Sequence, residues 1–350
     1  MENKYIIILI GLLILITFLT QFYGSTDIAD YSDTAKFFAG KYSAKIRSSH
    51  SYLFGFIHSP FLKITNSYIS FKISSLVFLI LIILSVYILS GKNKKALWLM
   101  TLSPVIWYMS PWISPIQLAA LFFLWAYWFI EKFNKTNKLK YLICSGIFVG
   151  LAWCVWDTIL YFGVFLAVVF LCNKNLSHSC FFIISLLIGL LPRLILDQYL
   201  FNFPFYTLIK STMGGFANSL GGIYQSTGMG VGISYLNISL IILALPLYYW
   251  LLHSPKIFKK NKKSVVFLFL CIFLIFALPQ IRYVMILAPI IILIISKELN
   301  DKQFKRQIIF SIIVILLFIT PYLIQIKYSI IDKLNGVDIS YLLEFLFKFV

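Results

Sequence analysis

Long apolar runs recur along the whole chain and are separated by short segments in which lysine is common. A helix that crosses a bilayer needs about 20 mostly apolar residues, and inside lipid it satisfies its own backbone hydrogen bonds. Tracts that approach or reach this length include Tyr5–Phe22, Ile73–Leu89, Val265–Leu278 and Ser311–Ile326. The alternating pattern of a membrane β-barrel does not occur in the sequence. We therefore expect an all-α polytopic membrane protein.

The hydropathy pattern predicts about eleven transmembrane helices of roughly 15–21 residues each. They lie near residues 5–22, 73–90, 96–110, 116–132, 139–155, 158–172, 180–196, 232–252, 264–279, 283–297 and 307–326. No internal repeat or low-complexity linker divides them, so residues 1–350 are expected to form a single integral-membrane domain. The first run lacks a small-residue cleavage site close behind it, and we interpret it as an uncleaved helix.

The net charge of +18 follows the positive-inside pattern of membrane proteins. Eighteen of the 30 basic residues are Lys4 and the residues of five short loops, at 91–95, 131–140, 174, 253–263 and 297–306. All five loops fall on one side of the membrane when the N-terminus is cytoplasmic. The sequence thus predicts a cell-membrane protein with a cytoplasmic N-terminus, and nucleic acid is not needed as a partner to explain the charge.

This topology leaves two long loops and a short tail on the outer side. The first loop spans about residues 23–72, the second spans about 197–232, and the tail covers about 327–350. The second loop holds seven glycines between Gly214 and Gly232, and a glycine-rich segment of this kind can close over a ligand. Any chemistry is therefore expected at the outer membrane face.

Three of the twelve acidic residues, Asp27, Asp30 and Asp33, lie close together in the first outer loop. Residues 26–40 read as a short helix with Asp27 near its N-cap and Gly40 just past its end. At roughly 100° per residue, the three carboxylates fan over about 120° of one helix face and could line one cavity. Helix capping is the alternative explanation for any one of them.

The spacing Asp27-x3-Tyr31-x3-Ala35, followed by Gly40, resembles the first outer loop of the GT-C glycosyltransferases. These enzymes use polyprenyl-phosphate-linked sugars and include protein O-mannosyltransferases and aminoarabinose transferases. A second acid is common in the family where this chain has Ile28, so either Asp30 substitutes or the site works with one carboxylate. His50 and the step His58-Ser59-Pro60 resemble the histidine- and proline-containing end of the same loop.

Further matches follow in the same order over about residues 20–295. Gly146–Ala152 is similar to the small-residue span of the family, and Pro192–Pro204 to its entry into a later outer loop. Gln280-Ile281-Arg282-Tyr283 with Pro289 resembles its Arg-Tyr…Pro span. The chain departs from the pattern at Trp156-Asp157, where family members often carry a basic residue.

The resemblance implies a GT-C-like helix bundle and a specific chemistry. A hexosyl or pentosyl group would pass from a polyprenyl-phosphate donor to a glycan, lipid or protein acceptor, with inversion at the anomeric carbon. Asp27 is the candidate general base, and Asp30 or Asp33 would assist it. Asp27 and Asp30 are also the candidates for a divalent metal, and no other cofactor is implied.

Cations are needed to stabilise the departing lipid phosphate. Arg282, at the outer end of a span, can clamp a phosphate in bidentate fashion, and a snorkelling end-anchor is its alternative role. The other candidates for contact with the phosphate are Arg47, Lys41 and Arg193, and the candidates for contact with the sugar or acceptor are His50, Tyr31 and Tyr283.

Two other functions remain open from the sequence. One is a transporter or flippase of lipid-linked glycans, in which intramembrane charges and broken helices would mark the pathway. The other is a catalytically inactive binding partner that keeps the GT-C-like fold, as the missing second acid at residue 28 would allow.

Overall fold

A computed structural model describes residues 3–20, 28–41, 52–63, 67–172, 174–210, 213, 235–244, 247, 250–251, 254–277 and 281–335. These ranges contain helices and turns but no strand, which confirms the all-α prediction for the described part of the chain. The helices are α1 Asn3–Leu19, α2 Ile28–Phe38, α3 Tyr52–His58, α4 Ser67–Leu89, α5 Lys94–Thr101, α6 Pro104–Met109, α7 Ile116–Thr136, α8 Leu139–Val155, α9 Ile159–Leu171, α10 Leu176–Phe201, α11 Tyr235–Ala244, α12 Pro255–Lys260, α13 Lys262–Ala277, α14 Val284–Ile295 and α15 Asp301–Asn335. Short 3-10 turns occur at Phe61–Lys63 and Ile281–Tyr283.

Four of these helices are long and apolar enough to cross a membrane. Their candidate spans are Tyr68–Leu89, Ile116–Thr136, Leu176–Phe201 and Asp301–Lys327. Shorter apolar helices occur at Lys4–Leu19, Leu139–Val155, Ile159–Leu171 and Ile281–Ile295. The apolar helices indicate a membrane protein, but the described residues support four full-length spans rather than about eleven.

The span predicted near residues 96–110 is not one continuous helix. It is divided into α5 and α6, with Leu102 and Ser103 between them. Pro104 opens α6, and a proline at this position cannot continue the preceding helix because it lacks an N–H and restricts the residue before it. At 1.5 Å per residue, α5 and α6 are about 12 and 9 Å long, so neither crosses a bilayer alone.

Two helices extend into segments that are assigned to outer loops from the sequence. Helix α4 begins at Ser67, inside the predicted first outer loop, and α10 continues through Asp197 to Phe201, inside the predicted second one. Lys72, at the predicted end of the first loop, is a buried residue of α4. Its ammonium group donates hydrogen bonds to the carbonyl oxygens of Thr17 (2.9 Å) and Thr20. Lys72 therefore caps the carbonyl end of α1.

Helix α14 lies at the centre of the bundle. All twelve of its residues are buried, and a helix that is apolar on every side is expected to be surrounded by others. It packs against α4, α7 and α13. On the periphery, α8 and α10 cross closely at Gly146, Gly150 and Gly189, where backbone atoms of one helix meet those of the other. Trp156 and Asp157, which separate the spans predicted near residues 139–155 and 158–172, lie in the turn between α8 and α9.

The lysine-containing loops meet at one end of the bundle. The Lys95 ammonium donates to the Leu299 carbonyl (2.9 Å) and pairs with Asp301 (2.7 Å), and Lys260 pairs with Glu298. Further contacts in this region join Asn93 to Ser296, Lys263 to Asn134 and Phe170, and Lys174 to Asn137. We call the described residues 91–95, 131–140, 174–176, 254–263 and 296–306 the lysine-rich face.

Helices α8 and α10 both start at the lysine-rich face, and α14 ends there. The last residues of α8 and α10 and the first residues of α14 therefore lie at the opposite end, which we call the far end. A stacking contact between Trp156 and Tyr283, with ring centroids 5.2 Å apart, joins α8 to α14 there. The convergence of the basic loops on one face is what the positive-inside pattern predicts.

Candidate functional site

Helix α2 carries the predicted aspartate cluster and ends as expected. Gly40 has a φ of +90°, and the Lys41 N–H donates to the Lys36 carbonyl at 3.0 Å, which closes the helix with a Schellman-type turn. Asp27 lies outside the described residues. The backbone of Asp30 belongs to α2, but the position of its side chain is not among the described features.

Two residues of the Asp27-x3-Tyr31-x3-Ala35 motif, Tyr31 and Ala35, are described, and both are packing residues. Tyr31 and Ala35 are buried, and the Tyr31 ring meets that of Phe54 in α3 edge to face, with centroids 5.7 Å apart. A Cβ on Gly55 would lie 2.7 Å from Thr34 Cγ2, so α2 and α3 cross closely. Contact of Tyr31 with a substrate stays a prediction.

Asp33, in α2, and Lys41, just after it, are not buried. Asp33 is partly exposed and pairs with Lys36 at 3.4 Å across one helical turn, and such a pair contributes little to stability. Lys41 is exposed. Arg47 and His50 lie outside the described residues. A common cavity lined by the three aspartates stays a prediction.

His58, at the end of α3, is a buried packing residue. Its Nδ1–H donates to the Phe54 carbonyl at 2.6 Å, and its Nε2 accepts from the Ser74 hydroxyl. The ring stacks on Phe71 with centroids 4.5 Å apart. Burial lowers the His58 pKa from 6.5 to about 4, so the imidazole is neutral at pH 7. His58 is part of the sequence resemblance to the GT-C family, and in the structure its side chain serves packing.

Acidification is expected to destabilise the fold through His58. Because the folded-state pKa of about 4 lies below the unfolded value of 6.5, the unfolded chain takes up the proton first as the pH falls. Stability from this residue is complete above pH 6.5 and declines below it, by about 2 kcal/mol at pH 5. Unfolding of wild type and of His58→Gln, followed from pH 7 to pH 5, measures this loss. An equal pH dependence in the two proteins would contradict it.

A buried ionic cluster lies where α8, α10 and the segment after α10 meet. It consists of Asp157, Arg193, Asp197 and Thr207, which we call the ionic cluster. Arg193 is 1% exposed, and its guanidinium pairs with Asp157 through Nη1 and donates from Nε to Thr207 Oγ1 at 3.0 Å. The Thr207 hydroxyl and N–H in turn donate to the Asp197 carboxylate at 2.6 and 2.9 Å. The threonine hydroxyl thus links the guanidinium to the second carboxylate.

Tyr52, the first residue of α3, is buried near the Asp197 carboxylate of the ionic cluster. It is 1% exposed, and burial raises the pKa of its phenol, with the negative charge of Asp197 acting in the same direction. The second predicted outer loop thus contributes a bonded member of the ionic cluster, Thr207, whereas the first contributes a buried phenol close enough to feel the charge of Asp197. Asp157 adds the turn between α8 and α9.

Arg282 lies at the far end, in the 3-10 turn that precedes α14. Its guanidinium carbon is 5.3 Å from the centroid of the Trp156 ring, a cation–π contact, and Trp156 also stacks on Tyr283. Arg282 is half-buried, whereas Tyr283 is buried. Because Asp157 follows Trp156 directly, the turn after α8 contacts Arg282 with one residue and Arg193 with the next.

The structure thus brings three predicted residues, Arg282, Tyr283 and Arg193, to the same turn. Arg193 is enclosed and already bonded to protein groups, so contact with a phosphate would require the ionic cluster to open. The sequence prediction missed Asp197, Thr207 and Tyr52. One signal existed, because Arg193 and Asp197 are four residues apart within an apolar helix, where charged residues are costly and usually paired.

Within the described ranges, no three histidine, cysteine, aspartate or glutamate side chains lie close enough together to hold a metal ion. The metal prediction for Asp27 and Asp30 falls on side chains outside those ranges. It stays a prediction.

Comparison with known proteins gives no relative for this chain: no family model, no curated protein and no solved structure matches it. The resemblance to the GT-C glycosyltransferases therefore rests on the motif residues themselves.

Proposed function

We propose that this chain is a membrane glycosyltransferase of GT-C-like architecture. It transfers a monosaccharide from a polyprenyl-phosphate donor to a glycan, lipid or protein acceptor at the outer face of the cell membrane. The N-terminus and the lysine-rich face are cytoplasmic in this proposal, so the far end is the outer face. Asp27 is the general base, assisted by Asp30 or Asp33.

The observation that carries the proposal is the position of Arg282. In the proposed orientation, this half-buried guanidinium at the far end would lie near the bilayer surface, where the phosphate of a lipid donor is found, and its planar fork suits a phosphate. The N-terminal end of α14 follows directly and adds a favourable dipole for an anion. The cation–π contact with Trp156 helps to fix the position of the guanidinium.

The developing charge of the reaction explains why an arginine is needed there. Attack of the acceptor hydroxyl on the anomeric carbon breaks the bond to the lipid phosphate, and the phosphate leaves with an additional negative charge. A fixed cation stabilises this charge more than it stabilises the bound donor, and such an interaction raises the rate of the chemical step. The base at the opposite side of the sugar accepts the hydroxyl proton.

Replacement of Arg282 by glutamine is expected to lower the transfer rate by about 10²-fold, because the leaving phosphate loses its cation. The transfer rate of Arg282→Lys should lie between those of wild type and Arg282→Gln, since lysine keeps the charge but not the bidentate geometry. The measurement is transfer of radiolabelled sugar from a polyprenyl-phosphate donor by reconstituted protein. Asp27→Asn, assayed in parallel, tests the base.

The matched control is Lys327→Gln, which removes an exposed positive charge near the end of the described part of α15. It should leave transfer unchanged. Equal activity of Arg282→Gln and wild type would refute the phosphate assignment, and equal activity of Asp27→Asn and wild type would refute the base assignment.

A transporter of lipid-linked glycans is the second candidate, and the break between α5 and α6 favours it. Discontinuous helices near the membrane centre form substrate sites in many transporters. A cavity of about 10 Å³ adjoins this break and is lined by Leu99, Ser103, Pro104, Ala244, Leu247, Ala288, Ile291, Ile292 and Ser311. This volume holds about one water molecule and no sugar, so transport through it would require a large rearrangement.

Sugar transfer, movement of donor lipid and donor binding, measured on the same reconstituted protein, separate the candidate functions. Movement of donor lipid across liposomes without a new glycosidic bond would establish the transporter. Saturable donor binding without transfer or movement would establish an inactive binding partner.

A further inference from the structure

The lysine-rich face carries far more positive charge than its own acids can neutralise. It contains 17 lysine and arginine residues and three acidic residues, Glu131, Glu298 and Asp301. Each acid is already in an ion pair, with Lys135, Lys260 and Lys95 respectively. The remaining 14 cations form no ion pair within the described residues, although Lys305 lies near enough to Asp301 to feel its charge. Cations gathered this closely repel one another unless an external anion lies between them.

The position of this face indicates where that anion comes from. All four candidate membrane spans have one end here, because two of them, Tyr68–Leu89 and Ile116–Thr136, finish at the face and the other two start at it. The lysines therefore lie at the level of the lipid headgroups that surround the helices. Of the 17 basic residues, only Arg306 is an arginine. Lysine acts as a mobile point charge, which suits a fluid layer of phosphates better than a single bidentate ligand.

Apolar and aromatic side chains alternate with the lysines. Leu176 is 81% exposed and Phe258 is 41% exposed, and both lie within the face. The ammonium group of Lys132 lies 5.2 Å from the centroid of the Trp128 ring, and that of Lys174 lies 5.3 Å from the Phe133 ring. Exposed apolar groups beside lysines match the boundary between acyl chains and headgroups, whereas a soluble acidic partner would leave them in water.

We infer that the lysine-rich face binds anionic phospholipid headgroups of the surrounding bilayer in preference to zwitterionic ones. The inference does not depend on the proposed glycosyl transfer, since it rests on a different end of the molecule. Its energy is electrostatic, so it weakens as salt rises and scales with the number of lysines near the surface.

The test is lipid binding to purified protein in detergent micelles, counted by native mass spectrometry. Protein is mixed with phosphatidylglycerol and phosphatidylcholine of the same acyl chains. The first bound phosphatidylglycerol molecules should have an affinity about tenfold higher than phosphatidylcholine. The triple variant Lys256→Gln, Lys259→Gln, Lys262→Gln should lower that preference in proportion to the charge removed, because all three side chains are exposed on the face.

The matched control removes three lysines elsewhere, with Lys36→Gln, Lys210→Gln and Lys327→Gln, and should keep the preference. Thermal unfolding of both triple variants verifies that they are folded. A second measurement needs only wild type: raising salt from about 0.05 M to about 0.5 M should weaken phosphatidylglycerol binding alone. Equal binding of both lipids to wild type, or an equal loss in the control, would overturn the inference. Tighter binding of a polyglutamate peptide would overturn it in favour of a soluble acidic partner.

Discussion

Gly189→Ala is expected to lower the free energy of unfolding by about 3 kcal/mol or more, although it adds a single methyl group. A Cβ at residue 189 would lie 2.1 Å from the Ile147 carbonyl oxygen, far inside van der Waals contact. Across the same crossing, a Cβ at Gly150 would lie 2.2 Å from the Leu186 carbonyl oxygen. The obstacle in both cases is backbone, which cannot turn aside as a side chain could. The two helices must separate to accommodate the methyl group.

The separation would also reach the ionic cluster. Arg193 is one helical turn beyond Gly189, and its bonds to the Trp153 carbonyl and to Asp157 depend on the distance between α8 and α10. Cys154 Sγ–H donates to the Gly189 carbonyl at 3.5 Å and would lose that contact too. Small residues allow close helix packing in membranes, where no hydrophobic force holds helices together. We therefore expect loss of local structure as well as of stability.

Gly11→Ala is the matched control for this prediction. Gly11 lies within α1, and a Cβ there meets nothing within 4 Å. The substitution should be neutral or slightly stabilising, because alanine favours the helix over glycine by about 1 kcal/mol at most. Thermal unfolding in micelles, followed by circular dichroism, compares the two variants. Identical unfolding temperatures would show that the crossing tolerates a side chain.

The sequence predicted local features of the fold well where one physical signal dominates. Apolar runs gave most of the helices, the glycine at residue 40 gave the end of α2, and lysine placement gave the face on which five loops converge. The divided helix near residues 96–110 was missed because the residues on both sides of the break are apolar. Hydropathy therefore detects that these residues avoid water but does not show where the helix is interrupted. The sequence signal of the interruption is Pro104.

The candidate site was harder to predict because its parts are distant in the sequence. Asp157 and Arg193 are 36 residues apart, and no periodic pattern connects them. Arg282 was identified from its place at a span end, but its contact with Trp156 depends on how α8 and α14 pack. The spacing of Tyr31 and Ala35 is accounted for by the contact between α2 and α3, so it supports Asp27 less strongly than it did in the sequence alone.

Breaking the ionic cluster should be the second large effect, and its test is a double-mutant cycle. Arg193→Met removes the guanidinium beside the buried Asp197 and the partly buried Asp157, and Asp157→Asn leaves Arg193 without its directly bonded carboxylate. Each substitution should lower the free energy of unfolding by about 3–5 kcal/mol, the usual cost of an uncompensated buried charge.

The double variant should be less destabilised than the sum of the two, by about 1–3 kcal/mol, because neither charge of the pair is then left alone. Asp197 keeps its hydrogen bonds from Thr207 in every variant of the cycle. Glu131→Gln, which breaks the exposed pair with Lys135, is the control and should cost less than about 1 kcal/mol. Additive effects in the cycle would mean that Arg193 and Asp157 stabilise the fold independently. A non-additive result establishes Arg193 and Asp157 as one coupled pair, which joins α10 to the turn between α8 and α9.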